Sequence, residues 1–133
     1  MSHDPRLLAT AIDIVLRAGE IQLKHFHRDV RIDKKGDIDL VTEADFEVER
    51  MCRRVLAERF PSHAILAEEL MSEPGRGDDS GCCWVVDPID GTTNYAHGLP
   101  FFCASLGLEI DGRVEIAAIY DPTRRELFTA ERG

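Results

Sequence analysis

Two apolar runs, residues 102–110 and 113–120, are separated by only Asp111-Gly112. So short a link leaves no room for a crossover. It folds the second run back on the first as an antiparallel hairpin, through a turn that takes Asn, Asp and Gly because its central residues need positive φ. From that fixed point the rest of the chain sorts by hydrophobic period. Residues 6–27 place Leu7, Ala11, Ile14, Val15, Ala18, Ile21 and Phe26 mostly at helical spacing, with Arg17, Glu20 and Lys24 off that face. Residues 43–60 predict a second helix with Val48, Met51, Cys52, Val55, Leu56 and Phe60 as its stripe. Thr42 stands as its N-cap, with Asp45 three positions on as an acidic capping-box variant, and Pro61 ends it.

Between the helices, 31–39 is charged and contains Gly36, which suits a loop or short hairpin. Beyond Pro61 the pattern is that of strands, at 64–67, 82–86, 102–110, 113–120 and 126–130. They are separated by a Gly/Pro-rich loop at 70–81 and a turn-rich segment at 87–100. Two helices followed by short strands joined largely by hairpins predict an α+β fold, two N-terminal helices on a largely antiparallel sheet, in one domain over 1–133. The last strand would present an edge open to pairing, so a fragment and self-association are both expected.

Composition narrows the function classes. Hydrophobic residues are 44% and charged residues 31%, ordinary for a globular chain. No apolar run approaches the ~20 residues of a membrane span. The start, Met1-Ser2-His3-Asp4-Pro5, has no secretory pattern, so a cytoplasmic location and no membrane partner are expected. A net charge of −9 repels phosphate backbones and argues against nucleic acid as partner. Cys52, Cys82, Cys83 and Cys103 form no C-x-x-C pair and are expected as reduced structural thiols. His25 and His27, two apart, diverge on a helix and are expected as surface or packing residues.

The chemistry lies in carboxylates at strand ends. Glu68 and Glu69 follow Ile65-Leu66-Ala67, Asp87 follows Trp84-Val85-Val86, and Asp90 comes after Pro88-Ile89. Each has an ordinary explanation taken singly: Asp-Pro and Asp-Gly make turns, adjacent acids are usually solvated, and Asp45 suits a helix cap. Gathered at one point, these charges repel one another unless cations sit between them. All-oxygen donors without paired His or Cys indicate magnesium, manganese or calcium. Gly91 permits close backbone approach, and the N–H groups of Gly91 and Thr92 are placed to hold phosphate oxygens if a helix starts there. Metal ligands beside phosphate donors are what metal-assisted ester hydrolysis requires.

The segment from Trp84 through Asp87-Pro88-Ile89-Asp90-Gly91-Thr92-Thr93-Asn94 to Phe101 resembles the signature of the inositol monophosphatase family. Asp39-Leu40-Val41-Thr42-Glu43-Ala44-Asp45 and Ala67-Glu68-Glu69 match its two upstream motifs in order. The resemblance covers residues 7–133 and implies the first half of the inositol monophosphatase/fructose bisphosphatase-like layered α/β sandwich. It implies magnesium as cofactor, held by Glu68, Asp87 and the Ile89 carbonyl at one ion and by Asp87 and Asp90 at another. Glu68 would also orient the attacking water, and Thr92, hydrogen-bonded to Asp45, would help activate it. Gly91 and Thr92 would grip the phosphate and Asp90 would contact the alcohol. Lys34 would lie in a mobile loop over the site, and Glu69 would support Glu68 from behind.

The implied reaction is hydrolysis of inositol monophosphate or another small phosphate ester without a covalent phosphoenzyme, by an enzyme acting as a homodimer. Histidinol phosphate, fructose bisphosphate and nucleotide bisphosphates are substrates of related phosphatases. The family's enzymes are about twice this long, and their second half adds a metal-binding aspartate in a Trp-Asp segment that this chain lacks after Asp90. The other readings are therefore a non-catalytic metal-binding or interaction domain, and half of an obligate dimer whose partner completes the site.

Overall fold

The computed structural model describes residues 4–26, 32–35, 39–67 and 81–133, with the backbone alone for 32–35 and 39–42. The chain opens with α1, Pro5–His25. Asp4 caps it by accepting from the Arg6 N–H at 2.9 Å, and Pro5 occupies the first turn, where no N–H is needed. A small antiparallel hairpin follows, β1 (Ile32–Lys35) against β2 (Asp39–Thr42). Of the two forms open to this stretch, it takes the hairpin. Next come α2 (Glu43–Arg59) and β3 (Ala64–Ala67), then β4 (Cys82–Asp90) and the short α3 (Thr92–Ala96). β5 (Cys103–Ile110), β6 (Arg113–Asp121) and β7 (Glu126–Glu131) complete the described elements.

The main sheet has the order β3-β4-β5-β6-β7. Only the β3–β4 pair is parallel. This is the expected α+β arrangement of helices on a largely antiparallel sheet. The hairpin at Asp111-Gly112 forms with φ of 51° and 81°, the positive values that its turn demands. One expectation needs correcting. β4 does not stop at Val86 but runs through Asp87, Pro88 and Ile89 to Asp90. Asp87 pairs with Ser105 and Asp90 with Cys103, so the partner strand has only Ala104 opposite Pro88 and Ile89. Pro88 has no N–H for the ladder, and a strand that continues through it does so by bulging.

Alternation sets the core. Ile65, Trp84, Val86, Leu106, Leu108, Ile116 and Ala118 face the helices and are buried. α1 meets them with Ala11, Ile14, Val15 and Ala18, and α2 with Val48, Met51, Cys52, Val55 and Leu56. α1 lies close to the sheet at Gly19, where an added Cβ would sit 2.5 Å from the Tyr120 ring. Ion pairs between Asp13 and Arg59 (2.7 Å) and between Lys24 and Glu47 (2.7 Å) join the exposed edges of the helices. Burial pushes the Cys52 thiol up to about 12, so it remains a protonated core residue. All four cysteines are free, as expected.

Trp84, the largest fully buried side chain, donates its indole N–H to Nδ1 of His63 at 3.0 Å, beside the stacked Phe60 ring. That bond needs an unprotonated Nδ1, and burial holds the His63 pKa below its ordinary 6.5. The unfolded chain then takes up this proton more readily than the folded one. His63 therefore favours folding fully above about pH 6.5, and that contribution fades as pH falls toward the lower folded-state pKa. His63→Gln, which keeps an acceptor but cannot titrate, is expected to show a smaller drop in Tm between pH 7 and pH 5. Parallel Tm curves for the two proteins would contradict this.

Candidate functional site

The bulged end of β4 and the start of α3 bring the signature residues together. Ile89 is buried in a second apolar cluster with Ala44, Tyr95 and Phe102, against which Phe26 packs. Tyr95 and Phe102 meet edge to face at 4.8 Å, and Phe26 lies 4.9 Å from Phe102. Anchoring Ile89 inward leaves the flanking aspartates outward: Asp87 is half-buried and Asp90 exposed. Cys103, opposite Asp90, reports their convergence. Burial and then the carboxylates of Asp90, Asp87 and Asp121 push its thiol up to about 11. The thiol lies 3.9 Å from Asp90 Oδ2.

Asp121 belongs to a different task. Burial raises its pKa, but hydrogen bonds from Thr123 and Arg124 outweigh that and hold it below its usual value. It anchors the β6–β7 turn through both residues, as expected of a turn aspartate.

Gly91 begins α3 with φ of 96°. A Cβ there would lie 2.7 Å from the Phe101 carbonyl oxygen, so glycine is required both for conformation and for space. A helix does start here, which leaves its first N–H groups without intrahelical acceptors. The Thr92 hydroxyl donates to the Ile89 carbonyl at 2.9 Å. The expected bond from Thr92 to Asp45 would require that hydroxyl to turn away from Ile89. A carbonyl oxygen has a second lone pair, so Ile89 retains one for another partner. Asp45 is buried in the first turn of α2. It comes close to α3: burial first, and then the charges of Asp45 and Glu47, raise the pKa of Tyr95.

Glu68 and Glu69 lie outside the described residues; β3 ends at Ala67, which pairs with Val86, the residue before Asp87. Lys34, expected in a loop, has its backbone in β1 opposite Leu40, and its side chain is outside the description. The alternation of Leu40 and β-branched Val41 and Thr42 across from it favours a strand there. His25 pairs with Glu47 at 2.9 Å, a packing role as expected, while His27 lies outside the described residues. Among the described residues no three His, Cys, Asp or Glu side chains form a metal-holding group. What they do supply is two carboxylates flanking a carbonyl on one bulge, a hard-oxygen set that fits a divalent cation in chemistry.

Asp87 also borders a depression of about 510 Å³ on the sheet face away from the helices, with Leu66, Val85, Ser105, Gly107 and Glu109. Its mainly aliphatic walls suit packing better than a phosphate. Sequence reasoning missed Gln22, Tyr95 and Cys103. Gln22 had a signal, being a polar residue in register with the apolar stripe of Ala11, Ile14, Val15 and Ala18.

The inositol monophosphatase family profile matches residues 4–133. The chain belongs to this family. It is 40% identical over 126 residues to the inositol monophosphatase of Mesembryanthemum crystallinum, covering 94% of this chain and 47% of that protein. It is also 40% identical over 129 residues to Nus factor SuhB of Pasteurella multocida, covering 96% and 48%. The crystal structure of extragenic suppressor protein suhB from Bartonella henselae superposes with a TM-score of 0.90 at 36% identity, over 96% of this chain and 50% of that one. The chain thus spans about half the length of the relatives it matches. Among its described residues no helix is long and apolar enough to cross a membrane.

Gly91→Ala and Gly112→Ala separate conformation from space at the site. Both residues have positive φ, but a Cβ on Gly112 meets nothing within 4 Å. Each substitution carries a backbone strain of about 1–3 kcal/mol. Gly91→Ala is expected to cost more than Gly112→Ala in urea unfolding, and equal costs would contradict the close contact with Phe101.

Proposed function

We propose that this chain forms the metal- and phosphate-binding part of a magnesium-dependent phosphatase acting on inositol monophosphate or a related small polyol phosphate. The observation that carries the reading is the bulge, which sets Asp87 and Asp90 opposite Ser105 and Cys103, two positions apart on β5, with the Ile89 carbonyl between them in the chain. Glu68, Asp87, Asp90 and the Ile89 carbonyl hold the ions in this reading. A bound divalent ion supplies charge neutralisation at the phosphate and a water of lowered pKa. The chain's own groups position the reactants. The N–H groups of Gly91 and Thr92 hold phosphate oxygens, and Asp90 contacts the alcohol portion. Thr92, turned from Ile89 toward Asp45, orients the attacking water, and Asp45 takes up its proton. Lys34 adds positive charge near the entering phosphate, and Glu69 supports Glu68. A cytoplasmic homodimer belongs to the same reading.

A second reading, a metal-binding or interaction domain without turnover, draws on the chain's spanning about half of its relatives. Phosphate release from inositol 1-phosphate, with and without Mg2+, separates the two. The first reading expects Mg2+-dependent release, reduced in Asp87→Asn by more than the ~10–100-fold typical of losing a partner outside the ligand shell. Release that survives chelation, or is equal in the variant, would overturn it. Magnesium binding with no release would favour the second.

A further inference from the structure

Gln22 is fully buried on the last turn of α1, and its amide Nε2–H donates to the Pro88 carbonyl at 2.8 Å. Its backbone carbonyl accepts from the Tyr95 hydroxyl at 2.6 Å. That carbonyl is one of the four that a helix end leaves without an intrahelical donor, since the Phe26 N–H turns to Leu23. One residue thus grips the signature segment twice, at Pro88 before Asp90 and at Tyr95 in α3. The amide oxygen Oε1 has no hydrogen-bond partner among the described residues. An aliphatic side chain on this stripe would avoid the desolvation penalty of burying an amide with an unpaired end. The bond to Pro88 gives the amide its purpose.

The bulge explains why such a bond is needed there. Pro88 and Ile89 fall outside the register pairs that tie β4 to β5. The sheet ladder therefore does not set the direction of the Pro88 carbonyl. Gln22 does so from the helix side. With that peptide plane pinned, the backbone between Asp87 and Asp90 has less freedom to rotate either carboxylate away.

We propose that Gln22 is a positioning residue for divalent-metal binding, holding the Asp87–Asp90 bulge in its ligand geometry through the Pro88 carbonyl. This rests on the reading that Asp87 and Asp90 hold the ion. The test is titration calorimetry of the protein with Mn2+ or Mg2+, alongside metal-free Tm, for the unaltered chain, Gln22→Met and Gln22→Leu. Met fills the same space without a donor, and Leu is a smaller side chain that likewise cannot donate to Pro88.

Expected are metal-free Tm values for Gln22→Met within a few degrees of the unaltered chain and an affinity weaker by about 10-fold or more. Unchanged affinity in a folded Gln22→Met would overturn the proposal. Should that variant fail to fold, Gln22→Leu decides in the same way, and if neither folds the residue is a core element and the proposal fails. An unaltered chain that binds no metal would sink the underlying reading instead, leaving the two failures distinguishable.

Discussion

Pro88 sits within the second strand of the sheet and has no N–H to give its neighbour. The strand goes on regardless, and the price is a bulge in which Pro88 and Ile89 face a single residue of β5. The candidate site follows from that defect. A regular strand would alternate Asp87, Pro88, Ile89 and Asp90 across the sheet, sending the two aspartates to opposite faces. The added residue changes that phase, so that Asp87 and Asp90 stand opposite Ser105 and Cys103, two positions apart on one face of β5. Ile89, driven into the cluster with Ala44, Tyr95 and Phe102, keeps the bulge from flattening.

The remaining architecture serves to hold this segment from behind. α1 lies on the sheet closely enough that Gly19 has no space for a side chain, which brings its last turn up to Pro88 and Tyr95. α2 packs on the other side of α1 and carries Asp45 to the neighbourhood of α3. Beneath both, Trp84 fills the core two residues before Val86 and ties to His63 in the turn between α2 and β3. A carboxylate site needs a rigid frame, because mutual repulsion would otherwise drive its charges apart until a cation arrives.

Much of this was legible from residue order. Helical spacing of Leu7 to Phe26 and of Val48 to Phe60 gave both helices, and Asp111-Gly112 specified its hairpin because few other dipeptides accept two positive φ values. The extent of β4 was not legible: Asp-Pro reads as a turn in isolation, and only the partner strand shows that the chain continues through it. The stretch with Lys34 was legible only as a loop or short hairpin, and pairing with β2 decides for the hairpin. Gln22 could be seen as an oddity in the apolar stripe, but its partner is 66 positions away and no local pattern names it.

The central claim is that Asp87, Asp90 and the Ile89 carbonyl bind divalent cations at the bulge, with Asp87 common to both ions. Crystals grown with Mn2+ and measured at an anomalous wavelength test it directly. The account predicts a peak within about 2–2.5 Å of an Asp87 carboxylate oxygen and of either the Ile89 carbonyl or an Asp90 oxygen. A map with no peak at the bulge, or with the two carboxylates turned to separate patches of solvent, would contradict it.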